Sequence, residues 1–166
     1  RKTAADPERI AAALRQDRDR KIRAVLLTHV DTSSTVKNDL AAVRAAIDTT
    51  GHPALLVVDA IASLGCDPLG LDNLGIDVLV SASQKGLMTP PGLAFVAANE
   101  RAVARSAARG PGGFYLDWER TRKGGSRSPF TPPVTLVCQL QEALRLIEAE
   151  GLQNVFARHR TLGRMC

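Results

Sequence analysis

Two charged side chains follow apolar runs at positions where chemistry could be placed. Asp59 comes directly after the run Ala54 to Val58, and a carboxylate so close to a core costs several kcal/mol unless another group pairs with it. Lys85 is one long cation among the mostly small residues Ser81 to Gly86. Because desolvation favours the neutral amine, a lysine in such surroundings suits Schiff-base chemistry.

Each residue alone also has an ordinary structural explanation. Asp59 could cap a helix or accept a local backbone N–H, and Lys85 could be a surface lysine in a loop. The pair favours chemistry because both residues follow predicted strands, and open α/β sheets bind ligands at the carboxyl ends of their strands. Thr28 and His29 form a third polar position of this kind, where His29 is interpreted as a packing or supporting residue.

Short apolar runs alternate with helical patterns along the chain. Four apolar runs predict strands at 24–28, 54–58, 77–80 and 93–97. The first two have the pattern of strands that are buried on both faces. Asn38 or Asp39 opens one amphipathic helix, a later one ends near Gly151, and residues 110–125 are predicted as loop. The alternation predicts an α/β fold with a mostly parallel sheet and flanking helices.

Composition excludes several classes of protein. The 166 residues are 45% hydrophobic with a net charge of +5, which is typical of a globular domain and not of a disordered chain. The basic residues are not interleaved with aromatics, so we expect no nucleic-acid binding, and no apolar run approaches membrane length. Cys66, Cys138 and Cys166 match no metal spacing, which favours reduced thiols in the cytosol and no metal site.

The central part of the chain resembles a known family. The run LLVVDAIASLGCDPLGLDNLGIDVLVSASQKGLMTPPG (Leu55 to Gly92) resembles the core of class V, fold-type I aminotransferases, and within them the serine–glyoxylate and alanine–glyoxylate enzymes. THVDTSSTVKND (Thr28 to Asp39) and PFTPPV (Pro129 to Val134) resemble the segments before and after it. The resemblance implies that residues 1–158 are part of the large cofactor-binding domain and that 159–166 begin a small C-terminal domain.

The resemblance also implies a cofactor and roles for five residues. Lys85 carries pyridoxal 5′-phosphate (PLP) as an internal aldimine and moves a proton between the substrate Cα and C4′ of the cofactor. Asp59 pairs with the pyridinium nitrogen. Thr32 matches a hydroxyl near the phenolic oxygen, and Gln84 a side chain near the phosphate. Thr131 matches a residue that reaches the phosphate of the neighbouring subunit in a homodimer.

The implied reaction transfers an amino group from serine or alanine to glyoxylate, with small amino acids and 2-oxo acids as substrates, in a cytosolic homodimer. One alternative is another class V enzyme such as phosphoserine aminotransferase, which shares the Gln84–Lys85 pair. Another is a non-catalytic fragment that keeps only the fold. A desulfurase is disfavoured because Cys66 is not where its nucleophile belongs and no histidine precedes Lys85 directly.

The sequence departs from the relatives at two positions and in its extent. Thr35 stands where many relatives have glycine, which can serve a positive φ, and Ser128 stands where alanine–glyoxylate relatives tend to have a phosphate-binding tyrosine. The family's Gly-rich phosphate loop and its substrate-binding arginine have no counterpart here. The chain also begins with Arg1 and no signal-type segment, so we expect it to be part of a longer protein.

Overall fold

The computed structural model describes residues 3–110, 112–125 and 127–165, so Cys166 lies outside the described residues. The elements in chain order are α1 (Pro7–Gln16), β1 (Ala24–Thr28), α2 (Leu40–Thr49), β2 (Leu55–Asp59), β3 (Val78–Ala82), β4 (Ala94–Ala98), α3 (Glu100–Arg109), α4 (Trp118–Lys123), α5 (Val134–Glu150) and α6 (Leu152–Met165). Within these ranges, no helix is both long and apolar enough to span a bilayer.

The strands form one sheet in the order β1-β2-β3-β4, in which β1, β2 and β3 run parallel and β4 is antiparallel to β3. The predicted mostly parallel sheet with flanking helices is therefore confirmed. The register sets Thr28 beside Asp59 and Asp59 beside Val80. The carboxyl ends of the three parallel strands consequently meet at one edge, which we call the carboxyl edge.

Helices α1 and α2 cover one face of the sheet. The N-cap carboxylate of Asp39, one of the two residues predicted to open this helix, accepts the N–H of Ala42 and starts α2. The main core on this face is formed by apolar side chains from both helices and the strands, which include Leu14, Val43, Ile47, Leu56, Val58 and Leu79. Burying each such side chain contributes roughly 1.5–3 kcal/mol, so this layer holds the carboxyl edge in place.

The opposite face of the sheet is more open than the sequence predicted. Leu26 of β1 is 78% exposed, so the prediction that β1 is buried on both faces is wrong. Among the described residues, helix α3 covers this face only in part, through Ala102 against Leu55 and Val78. Leu26 and Thr28 of β1 are consequently exposed, because no layer formed by the described residues packs against them.

Helix α4 lies in the stretch 110–125 that was predicted as loop. Asp117 caps it by accepting the backbone N–H groups of Glu119 and Arg120, and the Arg122 guanidinium pairs with Glu119 through two hydrogen bonds of 3.0 and 3.1 Å. The helix buries no residue fully. A short helix held by a cap and an ion pair shows no apolar periodicity, which is why the sequence pattern did not predict it.

A buried acid ties three elements together at the opposite end of the sheet. The Asp77 carboxylate, just before β3, is 2% exposed. It accepts the backbone N–H of Leu56 at 2.7 Å, the Asn99 amide at 2.9 Å and two N–H groups of Arg101 at 2.6 and 2.9 Å. Arg44 of α2 lies 3.5 Å away. Asp77 thus links β2, α2 and α3 to the start of β3.

Candidate functional site

Asp59 is the last residue of β2 and stands half-buried at the carboxyl edge. Its Oδ1 accepts the backbone N–H of Ile61 at 2.8 Å, the local bond that the sequence allowed. Among the residues that the structure describes, none donates a hydrogen bond to Asp59 Oδ2. The carboxylate is therefore oriented by one oxygen and has the other available as an acceptor.

Lys85 lies in the turn that follows β3. Its carbonyl oxygen accepts the backbone N–H of Met88 at 3.0 Å, and its side chain is exposed. The sequence suggested that the Lys85 amine is desolvated, but the described part of the chain does not bury it. In the same part of the chain no carboxylate lies within ion-pair distance of the Lys85 amine, so the amine is available for covalent chemistry.

The sheet brings these two groups to the same edge. Asp59 is paired with Val80 in β3, the strand that leads into the turn of Lys85. A free carboxylate oxygen and a free primary amine are two groups that fit PLP. The oxygen can accept a hydrogen bond from a protonated ring nitrogen, and the amine can attach to an aldehyde. The described residues at the carboxyl edge therefore fit this cofactor.

The three other predicted site residues are placed differently. Thr32 is exposed in the turn after β1, whose last residue is the neighbour of Asp59, and Gln84 is exposed directly beside Lys85. These two share the carboxyl edge with Asp59 and Lys85. Thr131 is exposed in the segment before α5, and no hydrogen bond within the described ranges joins it to the other four.

His29 and Cys66 lie near this edge without forming a reactive pair. His29 is 4% exposed, and burial together with the nearby Lys37 charge lowers the pKa of its imidazole, so it is neutral at pH 7. Burial and the Asp67 charge raise the pKa of the Cys66 thiol. A protonated thiol is a poor nucleophile, which agrees with the interpretation that this is not a desulfurase.

Two residues near Lys85 were given no role by the sequence analysis. Ser83 is fully buried just before the lysine turn and is hydrogen-bonded to residues that follow the turn, and Gly86 is packed against Gly65. A serine and a glycine in a polar stretch are typical of any loop, so no sequence signal distinguished them.

Thr35, which stands where many relatives have glycine, has a strained backbone conformation. Thr35 has a φ of 59°, in the left-handed region that β-branched residues rarely adopt, in the turn that carries Thr32. We predict that Thr35→Gly stabilises the protein by about 1 kcal/mol, because glycine adopts this conformation without strain. Chemical denaturation measures the change. The control, Thr161→Gly in the exposed part of α6, should instead destabilise the protein by a few tenths of a kcal/mol, because glycine has a lower helix propensity than threonine. A destabilised Thr35→Gly variant would contradict the strain assignment.

A mostly parallel sheet with a lysine and an aspartate at its carboxyl edge is typical of α/β folds that bind ligands at the carboxyl ends of their strands. The profile of the aminotransferase class-V family matches residues 4–166, so this chain belongs to the aminotransferase class-V family.

Individual relatives agree with this assignment. The chain is 42% identical to a serine–glyoxylate aminotransferase of Methylorubrum extorquens over 97% of its length, and 45% identical to an L-aspartate–glyoxylate aminotransferase of Paracoccus denitrificans over 92%. It spans 42% and 39% of those two proteins. The crystal structure of an alanine–glyoxylate aminotransferase from Nostoc sp. superposes with a TM-score of 0.86 at 34% identity, over 96% of this chain and 42% of that one.

Proposed function

We propose that this protein is a PLP-dependent aminotransferase that transfers an amino group from serine or alanine to glyoxylate. The observation that carries the proposal is that, among the described residues, the Lys85 amine has no ion-pair partner and lies at the same sheet edge as an Asp59 oxygen without a donor. The relatives support the acceptor more strongly than the donor. The names of those cited above share glyoxylate, whereas their donors are serine, aspartate and alanine.

PLP, when bound, supplies an aldehyde that an amine can attach to and a ring that withdraws electrons from the substrate Cα. Lys85 would hold it covalently through Nζ and, once the substrate amine has taken its place and freed Nζ, would move the proton at the substrate Cα. Asp59 uses Oδ2 to keep the ring nitrogen protonated, while Oδ1 stays bonded to Ile61 and fixes the carboxylate orientation. Each role requires an atom without another partner. Within the described part of the chain, Asp59 Oδ2 and Lys85 Nζ both meet this requirement.

Gln84 and Thr32 complete the proposed cofactor contacts within one chain. Gln84 adjoins Lys85 and binds on the phosphate side, and Thr32 places its hydroxyl near the phenolic oxygen. The turn of Thr32 is held by Asp31, which accepts the N–H of Ser33 and the N–H and hydroxyl of Ser34. Hydrogen bonds from these serines lower the pKa of the Asp31 carboxyl, so it stays ionised at neutral pH.

The homodimer is also a proposal, in which Thr131 reaches the phosphate in the neighbouring subunit. An exposed aromatic group beside Thr131 supports it: the Phe130 ring contacts Phe114 and Tyr115, with ring centroids 5.7 and 4.8 Å apart. Phe114 is 67% and Tyr115 73% exposed, and aromatic side chains of this kind are enriched at interfaces. Sedimentation equilibrium should give twice the monomer mass, whereas a monomer at micromolar concentration would contradict the proposal.

We further propose that residues 1–158 belong to the large cofactor-binding domain, that 159–166 begin a small C-terminal domain, and that the enzyme is cytosolic. The proposed boundary falls within the continuous helix α6, which suits an element that connects two domains. Cys66 and Cys138 are free thiols, which supports a reducing compartment.

We predict that Asp59→Ala weakens PLP binding and turnover together, because the ring nitrogen loses its acceptor. Removing one partner of a buried ion pair typically costs about 3–5 kcal/mol, and half-exposure of Asp59 places the effect at the low end, about 100-fold in PLP affinity. Absorbance titration of the apoprotein with PLP measures it. Asp72→Ala, at an exposed carboxylate in the connection between β2 and β3, serves as the control. An Asp59→Ala protein with normal affinity and rate would refute the role of Asp59.

The direct test of the reaction is a substrate panel on the native protein. Glyoxylate should be converted to glycine with serine or alanine as donor, and phosphoserine should be a poor donor. Preference for phosphoserine would favour the phosphoserine aminotransferase alternative. Binding of PLP without turnover of any donor would favour the non-catalytic alternative.

A further inference from the structure

The segment that carries Lys85 is a closed turn. Ser83 lies at its base and is fully buried. The Ser83 backbone N–H donates to the carbonyl oxygen of Leu93 at 3.2 Å, and its carbonyl oxygen accepts the N–H of Thr89 at 3.1 Å. These two hydrogen bonds hold the two ends of residues 84–88 close together, and Lys85 belongs to the loop between those ends.

The Ser83 hydroxyl adds two further bonds across the same base. It donates to the carbonyl oxygen of Pro90 at 2.7 Å and accepts the backbone N–H of Leu93 at 3.3 Å. A buried hydroxyl that both donates and accepts is satisfied, whereas its loss leaves the N–H of the partly buried Leu93 without this acceptor. The side chain of Ser83 therefore adds to the closure that its backbone already provides.

The outer part of the turn is fixed by a contact between two backbones. A Cβ on Gly86 would overlap the carbonyl oxygen of Leu64, and a Cβ on Gly65 would lie 3.1 Å from the carbonyl oxygen of Gly86. Gly65 also has a φ of +81°, which favours glycine. The residue after Lys85 is thus pressed onto the turn that follows β2, the strand that ends in Asp59.

These contacts matter because, in the described part of the chain, no hydrogen bond or ion pair fixes the Lys85 side chain. Lys85 is exposed and has no ion pair in the described part of the chain, so the region its amine can reach depends on where the backbone of the turn is held. We propose that Ser83 is the positioning residue of Lys85, and that its hydroxyl holds the lysine turn ready before PLP binds. The inference rests on the proposed function of Lys85.

The test compares two serine variants of the native protein after PLP is removed. Ser83→Ala should form the borohydride-fixed PLP adduct at Lys85 about tenfold more slowly and bind PLP about tenfold more weakly. Ser63→Ala is the matched control, because Ser63 is 1% exposed and its hydroxyl also donates to a backbone carbonyl, that of Ala60. Both measurements are made at a temperature at which circular dichroism shows each variant fully folded. A merely structural serine would change the melting temperature but neither PLP measurement.

The possible outcomes separate this inference from the proposed function. A wild-type protein with no adduct at Lys85 would overturn both. A wild-type adduct with equal rates and affinities for Ser83→Ala and Ser63→Ala would overturn the positioning role alone. Hydrogen exchange on the wild-type apoprotein tests the role without any variant. The N–H groups of Thr89 and Leu93 should exchange slowly before PLP is added, and fast exchange would contradict a turn that is held ready.

Discussion

Replacing Lys85 by alanine is expected to lower the serine–glyoxylate transamination rate by about 10⁴-fold, the upper range for loss of a positioned proton-transfer group. The variant keeps the turn, because the contacts that close it come from Ser83, Thr89 and Leu93. It loses the only group of that turn that can attach to an aldehyde and move a proton. Steady-state rates with saturating PLP measure the effect.

Two controls separate this chemistry from a change in folding. Lys123→Ala removes a lysine that is 74% exposed in α4 and should keep the wild-type rate. A small primary amine added to Lys85→Ala should restore part of the proton transfer, which it cannot do for a misfolded protein. Wild-type activity in Lys85→Ala would remove Lys85 from the mechanism.

Replacing Asp77 by alanine is expected to destabilise the fold by about 3 kcal/mol, the low end for breaking a buried ion pair, since Arg101 remains half in solvent. The substitution also leaves the backbone N–H of Leu56 without its acceptor and removes the shorter of the two hydrogen bonds that the Asn99 amide donates. Such a loss is a large part of a typical unfolding free energy of about 5–15 kcal/mol. Urea denaturation at pH 7 measures it.

The matched control for Asp77 is an exposed ion pair. Glu142→Ala removes the partner of Arg145, and both side chains are more than half exposed, so the cost should stay below about 1 kcal/mol. Equal losses for Asp77→Ala and Glu142→Ala would contradict the linking role of Asp77.

Asp77 also gives a pH dependence of known sign. Burial alone raises the pKa of its carboxyl, but hydrogen bonds from Arg101, Leu56 and Asn99 outweigh burial and leave the pKa below its ordinary value of 3.8. A group whose pKa is lowered by folding stabilises the protein fully above its unfolded pKa. The gap in stability between wild type and Asp77→Asn should therefore be constant above about pH 5 and shrink as the pH falls through 3.8.

The sequence predicted the sheet and the carboxyl-edge residues because their signals are local. Apolar runs marked all four strands. Asp59 stood out as a charge directly after one run, and Lys85 as one long cation among the small residues that follow another. The limits of β1 matched the prediction, and those of the other three strands shifted by one or two residues. The antiparallel direction of β4 has no local signature, since direction depends on how the chain returns to the sheet.

The contacts that hold the site were not predictable, because they join residues far apart in the sequence. Asp77 looked like an ordinary start of a strand until Arg101 and Asn99 were placed beside it. Exposure of Leu26 depends on which layers cover the sheet, and composition carries no information on that. Ser83 closes the lysine turn through residues that follow it by up to ten positions, a contact that only the folded turn creates.

The most direct test of the central claim is the chemical mapping of the cofactor attachment. The native protein is incubated with PLP, reduced with borohydride, digested and examined by mass spectrometry. We predict one modified peptide, with the pyridoxyl group on Lys85. No modification, or modification spread over exposed lysines such as Lys21 and Lys123, would contradict the assignment of Lys85 as the cofactor lysine.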